Sequence, residues 1–264
     1  MSLGSLLKRV RTDAKRLRVA AERRFAPPAS APLRKSKPPA AGDVPNLDVL
    51  YPGLAGDALK AAVEASLEGA TLSEHGLTRF AMYSELSERL AAHDGLNRRC
   101  LSVSHSNVLA RILGFRTARL VDASYPEHTM FALDFEDAAF DACVSDQVLE
   151  HVEGDPFDAV KESFRVVRPG GYVVHATCLL NPIHREPGDF WRFTPDALNL
   201  LCRAAGAGEI ETASWGNRRA LVLTQVGVRS HKVPLDETHP LHRIAIANDP
   251  LWPILTWVVA RKPA

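Results

Sequence analysis

The chain has 264 residues, 46% hydrophobic and 24% charged, enough for one large folded domain with appendages or for two small ones. Its net charge of +1 hides an asymmetry: residues 1–45 hold eleven Lys and Arg against Asp13, Glu22 and Asp43, and the remainder is mildly acidic. That balance gives the body no general case for nucleic-acid binding, and the absence of any run of 18 apolar residues argues against a membrane-spanning helix.

In chain order, residues 3–25 read as a basic amphipathic helix. Leu3, Leu6, Leu7, Val10, Ala14, Leu17, Ala21 and Phe25 recur at helical steps with Arg and Lys between them. Such a helix could dock on an anionic membrane surface or on a partner protein, or stay solvated. Lys8, Arg9 and Arg11 interrupt any signal-peptide core, so a cytoplasmic protein, membrane-peripheral at most, is expected. Residues 26–45, rich in Pro, Ala, Lys and Ser, read as a semi-extended linker. A helical extension follows over residues 46–97, with helices near Gly56–Gly69 and Leu77–His93. In the second, Leu77, Phe80, Ala81, Leu86 and Leu90 form an apolar stripe, while Glu85, Glu88 and Arg89 face away.

From residue 98 to 264 short apolar strands alternate with helices, the pattern of a parallel sheet covered on both faces. Strands are expected near Arg99–Val103, Ala118–Asp122, Ala142–Ser145, Tyr172–Thr177, Glu209–Ser214 and Ile254–Ala260, with a weaker one near Thr129–Leu133. Asp155-Pro156 starts one helix, with Arg165 and Arg168 in its last turn, and Pro169-Gly170-Gly171 stops it. Thr194-Pro195 starts another that ends at Gly206. Cys100, Cys143, Cys178 and Cys202 are widely spaced among apolar or small residues and read as buried reduced thiols.

Residues Phe140–Gly171 run FDACVSDQVLEHVEGDPFDAVKESFRVVRPGG, and residues Asn181–Leu198 run NPIHREPGDFWRFTPDAL. Together they resemble the central stretch and the post-strand loop of class I S-adenosylmethionine-dependent methyltransferases, in particular the type-11 group. The resemblance implies a Rossmann-like, seven-stranded, mostly parallel α/β sheet with a terminal antiparallel strand, helices on both faces and S-adenosylmethionine across the strand carboxyl ends. It also implies a ribose-binding role for Asp122, which ends the second strand twenty residues after Ser102; a turn or capping role is the alternative. Where the family usually carries a glycine-rich loop, this chain has Ser102-Val103-Ser104-His105-Ser106-Asn107-Val108, without glycine. Ser106 or Asn107 could cap the helix that follows.

Methyl transfer needs an acceptor atom held in line with the methyl group and often a base. The candidates are His184 and Asp146 for catalysis; Ser102, Ser104, Ser106, Asp122 and Gln147 for the cofactor; and Asp189, Trp191 and Arg192 for the substrate. Asp189 and Arg192 could instead pair to brace the loop, and Glu150 and His151 are read as fixing a turn. His175, mid-strand, reads as a core histidine. No H-x-x-x-H pair accompanies a carboxylate, so no metal is expected. The function expected is methyl transfer to a small-molecule or glycan-type acceptor. The alternative is a non-catalytic methyltransferase-like binding or scaffold protein with a degenerate cofactor loop.

Overall fold

A computed structural model describes residues 47, 51–89, 98–185 and 187–264. The basic leader, the linker, Leu90 and the expected end of the second helix at His93 lie outside the described residues. The described elements in chain order are α1 (Gly56–Ser66), β1 (Leu72–Gly76), α2 (Leu77–Arg89), β2 (Cys100–Val103), α3 (Asn107–Ile112), β3 (Leu120–Ala123), β4 (Phe140–Asp146) and α4 (Pro156–Val166). They continue with β5 (Val167–Cys178), α5 (Pro195–Ala204), β6 (Glu209–Trp215), α6 (Arg218–Gln225), β7 (Lys232–Pro234), α7 (Pro240–Ile246) and β8 (Leu255–Arg261).

Six strands form the main sheet in the order β3-β2-β4-β5-β8-β6. Strands β2 to β5 are parallel, and β8 is inserted antiparallel between β5 and β6. The expected strand at Thr129–Leu133 is not formed. That stretch is a tight turn closed by a single bridge between Thr129 and Ala132, because too few residues separate β3 from β4 to lay down another strand. Strand β1 pairs with β7, which the periodicity of residues 46–97 did not suggest.

The sheet core is apolar on both sides of the backbone. Val144, Val173, Val174 and Val258 are fully buried, as near-continuous β-branched runs in a covered parallel sheet require. The helices sort into two packed groups, α4 against α5 and a series α3–α2–α7–α6. Asp155 caps α4 by accepting from the Phe157 amide at 2.9 Å, and Thr194 caps α5 by accepting from Ala197 at 3.1 Å, each with proline at the first helical position. Helix α4 stops at Val166, so Arg168 lies beyond it and pairs with Asp141 at 2.6 Å instead of capping the dipole. Arg89 does not face away from α2: it folds onto Glu85 and Glu211, tying the helix to β6. All four cysteines are free and buried. Among the described residues no helix is long and apolar enough to cross a membrane.

His175 sits fully buried in β5 opposite Ser145, whose hydroxyl lies 2.7 Å from Nδ1. Burial pushes the imidazole down from 6.5 to about 3, so the folded protein holds it neutral. The unfolded chain takes up a proton near pH 6.5 that the folded chain refuses until about pH 3, so this histidine removes stability as pH falls through that window. Urea denaturation between about pH 6.5 and pH 4.5 should show a loss approaching about 1.4 kcal/mol per pH unit from this group. His175→Asn should flatten that slope; an unchanged slope would place the titration elsewhere.

Candidate active site

The residues that follow β2, β3, β4 and β5 converge at one edge of the sheet, the place where open parallel sheets bind ligands. They enclose a cavity of about 780 Å³, within the range of small-molecule sites. One end is lined by Ser104, His105, Ser124, His128, Met130 and Phe131, and the other by His151, His184, Phe190, Arg79 and Arg229, with Gln147 in the wall.

The serine-rich loop takes the backbone shape that glycine normally supplies. Ser104 and His105 have φ of 48° and 63°, two consecutive left-handed residues. Ser106 is not one of them. Its buried hydroxyl donates to the Val103 carbonyl at 2.6 Å and accepts from the Asp146 amide at 2.8 Å, stitching the end of β2 to the end of β4. It occupies the cap position of α3 without capping it, because its oxygen is already used.

Asp122 lies one bond back from the cavity. Its carboxylate accepts from the Ser102 hydroxyl at 2.9 Å, the His105 amide at 3.1 Å and the Ser124 hydroxyl, and the His105 ring stands 3.2 Å away. Asp146 is also one bond back, accepting from Tyr83 and from Arg79 Nε at 3.2 Å, while its Oδ1 is buried without a partner. Arg79 stays charged through that pairing. Tyr83 is pushed well above its ordinary value, first by burial and then by the Asp146 charge, and donates as a neutral phenol.

Gln147 is the most informative of the expected residues. It lies in the cavity wall with φ of 59°, its amide anchored to the Ala176 carbonyl at 2.7 Å, and both side-chain atoms are buried with no hydrogen-bond partner among the described residues. His128 Nδ1, also on the cavity, is in the same state. Buried polar atoms left unpaired cost about 1–3 kcal/mol each, so both residues hold hydrogen-bonding capacity beside the cavity that the fold itself does not use.

His184 lines the other end, with its amide bound to Asp189 Oδ2 at 2.8 Å and its Nε2 4.0 Å from Glu150 Oε1. The other substrate candidates are displaced from this cavity. Asp189, Trp191 and Arg192 line a separate, shallower hollow of about 390 Å³. Asp189 and Arg192 form the bracing pair, with Arg192 Nη2 donating to Asp189 Oδ2 at 2.8 Å; that guanidinium, more than any other group, holds the carboxyl far below the usual range. The Trp191 indole donates to the Val152 carbonyl at 2.9 Å.

Residues 86–175 match the family described as "Methyltransferase domain". The matched segment is about a third of the chain and contains the Ser102–Val108 loop, Asp122, Asp146, Gln147, Glu150 and His151. Among solved structures, a methyltransferase of Haloferax volcanii in complex with its Trm112 activator is 15% identical, covering 78% of this chain and 95% of that one with a TM-score of 0.47. Phosphoethanolamine N-methyltransferase 2 of Haemonchus contortus, in complex with S-adenosyl-L-methionine, is 15% identical over 83% of this chain and 59% of that one, TM-score 0.46. A methyltransferase of Mesorhizobium loti is 16% identical over 71% and 100%, TM-score 0.43. No curated protein matches this chain in sequence.

The residues present fit S-adenosylmethionine, the cofactor that the resemblance implies: Met130 and Phe131 give apolar lining, Gln147 and His128 hold unpartnered polar atoms beside the cavity, and the loop after β2 already has the glycine-like conformation. Sequence reasoning missed Arg79, Arg229 and His128, which come from α2, the α6–β7 connection and the β3–β4 link. No local pattern marks them. Burial and the neighbouring Arg79 charge lower the Arg229 guanidinium, and it donates to the Asn181 side chain at 3.4 Å.

The loop geometry carries a stability prediction. A left-handed conformation costs a non-glycine residue about 1–2 kcal/mol, more than glycine loses in chain entropy. Ser104→Gly should raise stability by roughly 0.5–1 kcal/mol in urea denaturation, and the β-branched Ser104→Val should lower it by more than about 1 kcal/mol. Equal effects from both variants would count against the strain.

Proposed function

We propose that this protein transfers a methyl group from S-adenosylmethionine to a small-molecule or glycan-type acceptor within the 780 Å³ cavity. The observation that carries the reading is the cavity itself, lined by Ser104, Ser124, Gln147 and His184 from beyond the ends of four parallel strands. Ser102, Ser104, Ser106, Asp122 and Gln147 form the cofactor side. Ser102 and Ser106 act there as supports, the first holding Asp122 and the second holding β2 to β4. Bound there, the cofactor supplies an electrophilic methyl on a sulfonium.

At the opposite end, His184 and Glu150 are the groups that would receive or hold an acceptor proton, with Arg79 and Arg229 contributing positive charge. Burial raises the Glu150 carboxyl above the ordinary range. Phe190 and Pro187 give that end an apolar rim.

Calorimetric titration of the full chain with S-adenosylmethionine and with S-adenosylhomocysteine tests the reading. Micromolar binding is expected, weakened about 10-fold or more in Gln147→Ala and in Asp122→Asn, or about 1.4 kcal/mol. A folded wild-type protein that gives no heat with either ligand would defeat it. If His105→Gly then gained binding, the His105 ring over Asp122 would mark the protein as a non-catalytic relative whose cofactor loop has closed.

A further inference from the structure

Three side chains at the acceptor end share a geometry that proton transfer alone does not require. Glu150, His151 and His184 present one ligand atom each, all within 4.8 Å of one another. Glu150 is fully buried; Thr177 donates to its Oε2 at 2.8 Å, while Oε1 has no partner and stands 4.0 Å from His184 Nε2.

Both imidazoles are held from behind. His151 Nδ1 is bonded to the Gly188 carbonyl, which fixes the proton on Nδ1 and leaves Nε2 as a lone pair. His184 Nδ1 lies 3.0 Å from the Asn181 side-chain nitrogen, 3.2 Å from the Pro182 carbonyl and 3.4 Å from the Asp189 carboxylate, so Nδ1 is the nitrogen engaged by the protein and Nε2 is the one turned toward Glu150. A histidine whose far nitrogen is committed to a carbonyl or carboxylate is the usual arrangement behind a metal ion. The rings approach edge to face with centroids 4.8 Å apart.

We propose that Glu150, His151 and His184 bind one divalent first-row transition ion, of the Zn²⁺ or Mn²⁺ type, with an open position facing the cavity. Two imidazoles and one carboxylate suit such ions, and three protein ligands leave room for an oxygen ligand from outside. In a tetrahedral set with bonds of about 2.0–2.2 Å, ligand atoms stand roughly 3.4 Å apart, so small side-chain rotations close the present spacing. Of the nearby cations, Arg192 is paired with Asp189 and Arg79 with Asp146, which leaves Arg229, near Glu150, as the charge the ion would have to tolerate. Sequence spacing does not reveal the set, because two ligands are adjacent in the chain and the third comes from the loop after β5.

On the methyl-transfer reading, on which this role rests, the ion binds the acceptor hydroxyl and makes it more acidic. The acceptor oxygen then forms the new O–CH₃ bond as the methyl–sulfur bond breaks with its electron pair left on sulfur. With the ion bound, His184 and Glu150 are its ligands and no longer take the acceptor proton, which leaves to solvent.

The test titrates Co²⁺, and separately Zn²⁺, into chelator-treated full-length protein, following the visible d–d bands of cobalt and the bound metal per chain. One equivalent is expected in the wild type and in His231→Ala, a surface control. It should be lost in Glu150→Gln and in His184→Ala. Asp189→Asn should keep one equivalent at an affinity lower by about 10- to 100-fold. No saturable equivalent in the wild type, or cobalt bands unchanged in folded Glu150→Gln, would overturn the site. Calorimetry with S-adenosylmethionine on the same samples keeps the two readings apart. Metal without cofactor binding would leave the site standing and remove its role in methyl transfer; cofactor binding without metal would do the reverse.

Discussion

The Glu150 backbone carbonyl accepts from the Phe190 amide at 2.8 Å and the Trp191 amide at 3.2 Å, while its side chain is held by Thr177 in β5. One residue therefore joins the turn after β4, the strand beside it and the loop that follows that strand. The loop carries His184, Pro187, Gly188 and Phe190, so this part of the cavity wall depends on the junction. A carboxyl with no exposure to water is costly to place. Here the cost is met by the Thr177 hydrogen bond and by the fixed loop that results.

A second stitch works on the cofactor side. Ser106 joins β2 to β4 through a single buried hydroxyl that donates to one strand end and accepts from the other. A glycine there would leave the Asp146 amide and the Val103 carbonyl without that partner. The serine at this position is thus structural, whereas the left-handed residues Ser104 and His105 keep the conformation that a glycine loop would adopt. A loop can keep its glycine-like path without glycine when strong neighbouring bonds, here those centred on Asp122, over-determine the backbone.

The two ends of the cavity differ in kind. At the proposed cofactor end the unpaired polar atoms belong to neutral groups, the Gln147 amide and the His128 ring; the proposed acceptor end holds charged or titratable groups, Glu150, His184, Arg79 and Arg229, of which Arg79 is paired with Asp146. A polar but neutral adenosine portion suits the first. An acceptor whose oxygen must lose a proton suits the second, because developing negative charge is stabilised by fixed cations and by ligands already oriented.

The α/β class, the strands of the main sheet and the caps at Asp155 and Thr194 were legible in the sequence because they rest on local rules: period, capping chemistry and β-branched runs; the strand expected at Thr129–Leu133 and the unforeseen β1–β7 pair show where those rules stop. The family resemblance of residues 140–198 was legible for the same reason, as an ordered local pattern. Asp122, Gln147 and His184 could be placed at strand ends from that pattern. Their partners could not be read there. Whether Asp189 meets a substrate or Arg192, whether Ser106 caps a helix or bridges two strands, and whether Glu150 and His151 merely turn the chain were decided by contacts across tens of residues. Arg79 and Arg229 reach the cavity from elements far apart in the chain. Their entry depends on how α2 and the α6–β7 connection pack over the sheet edge, which only the tertiary structure decides, because hydrogen bonding and burial act between residues near in space and not in sequence.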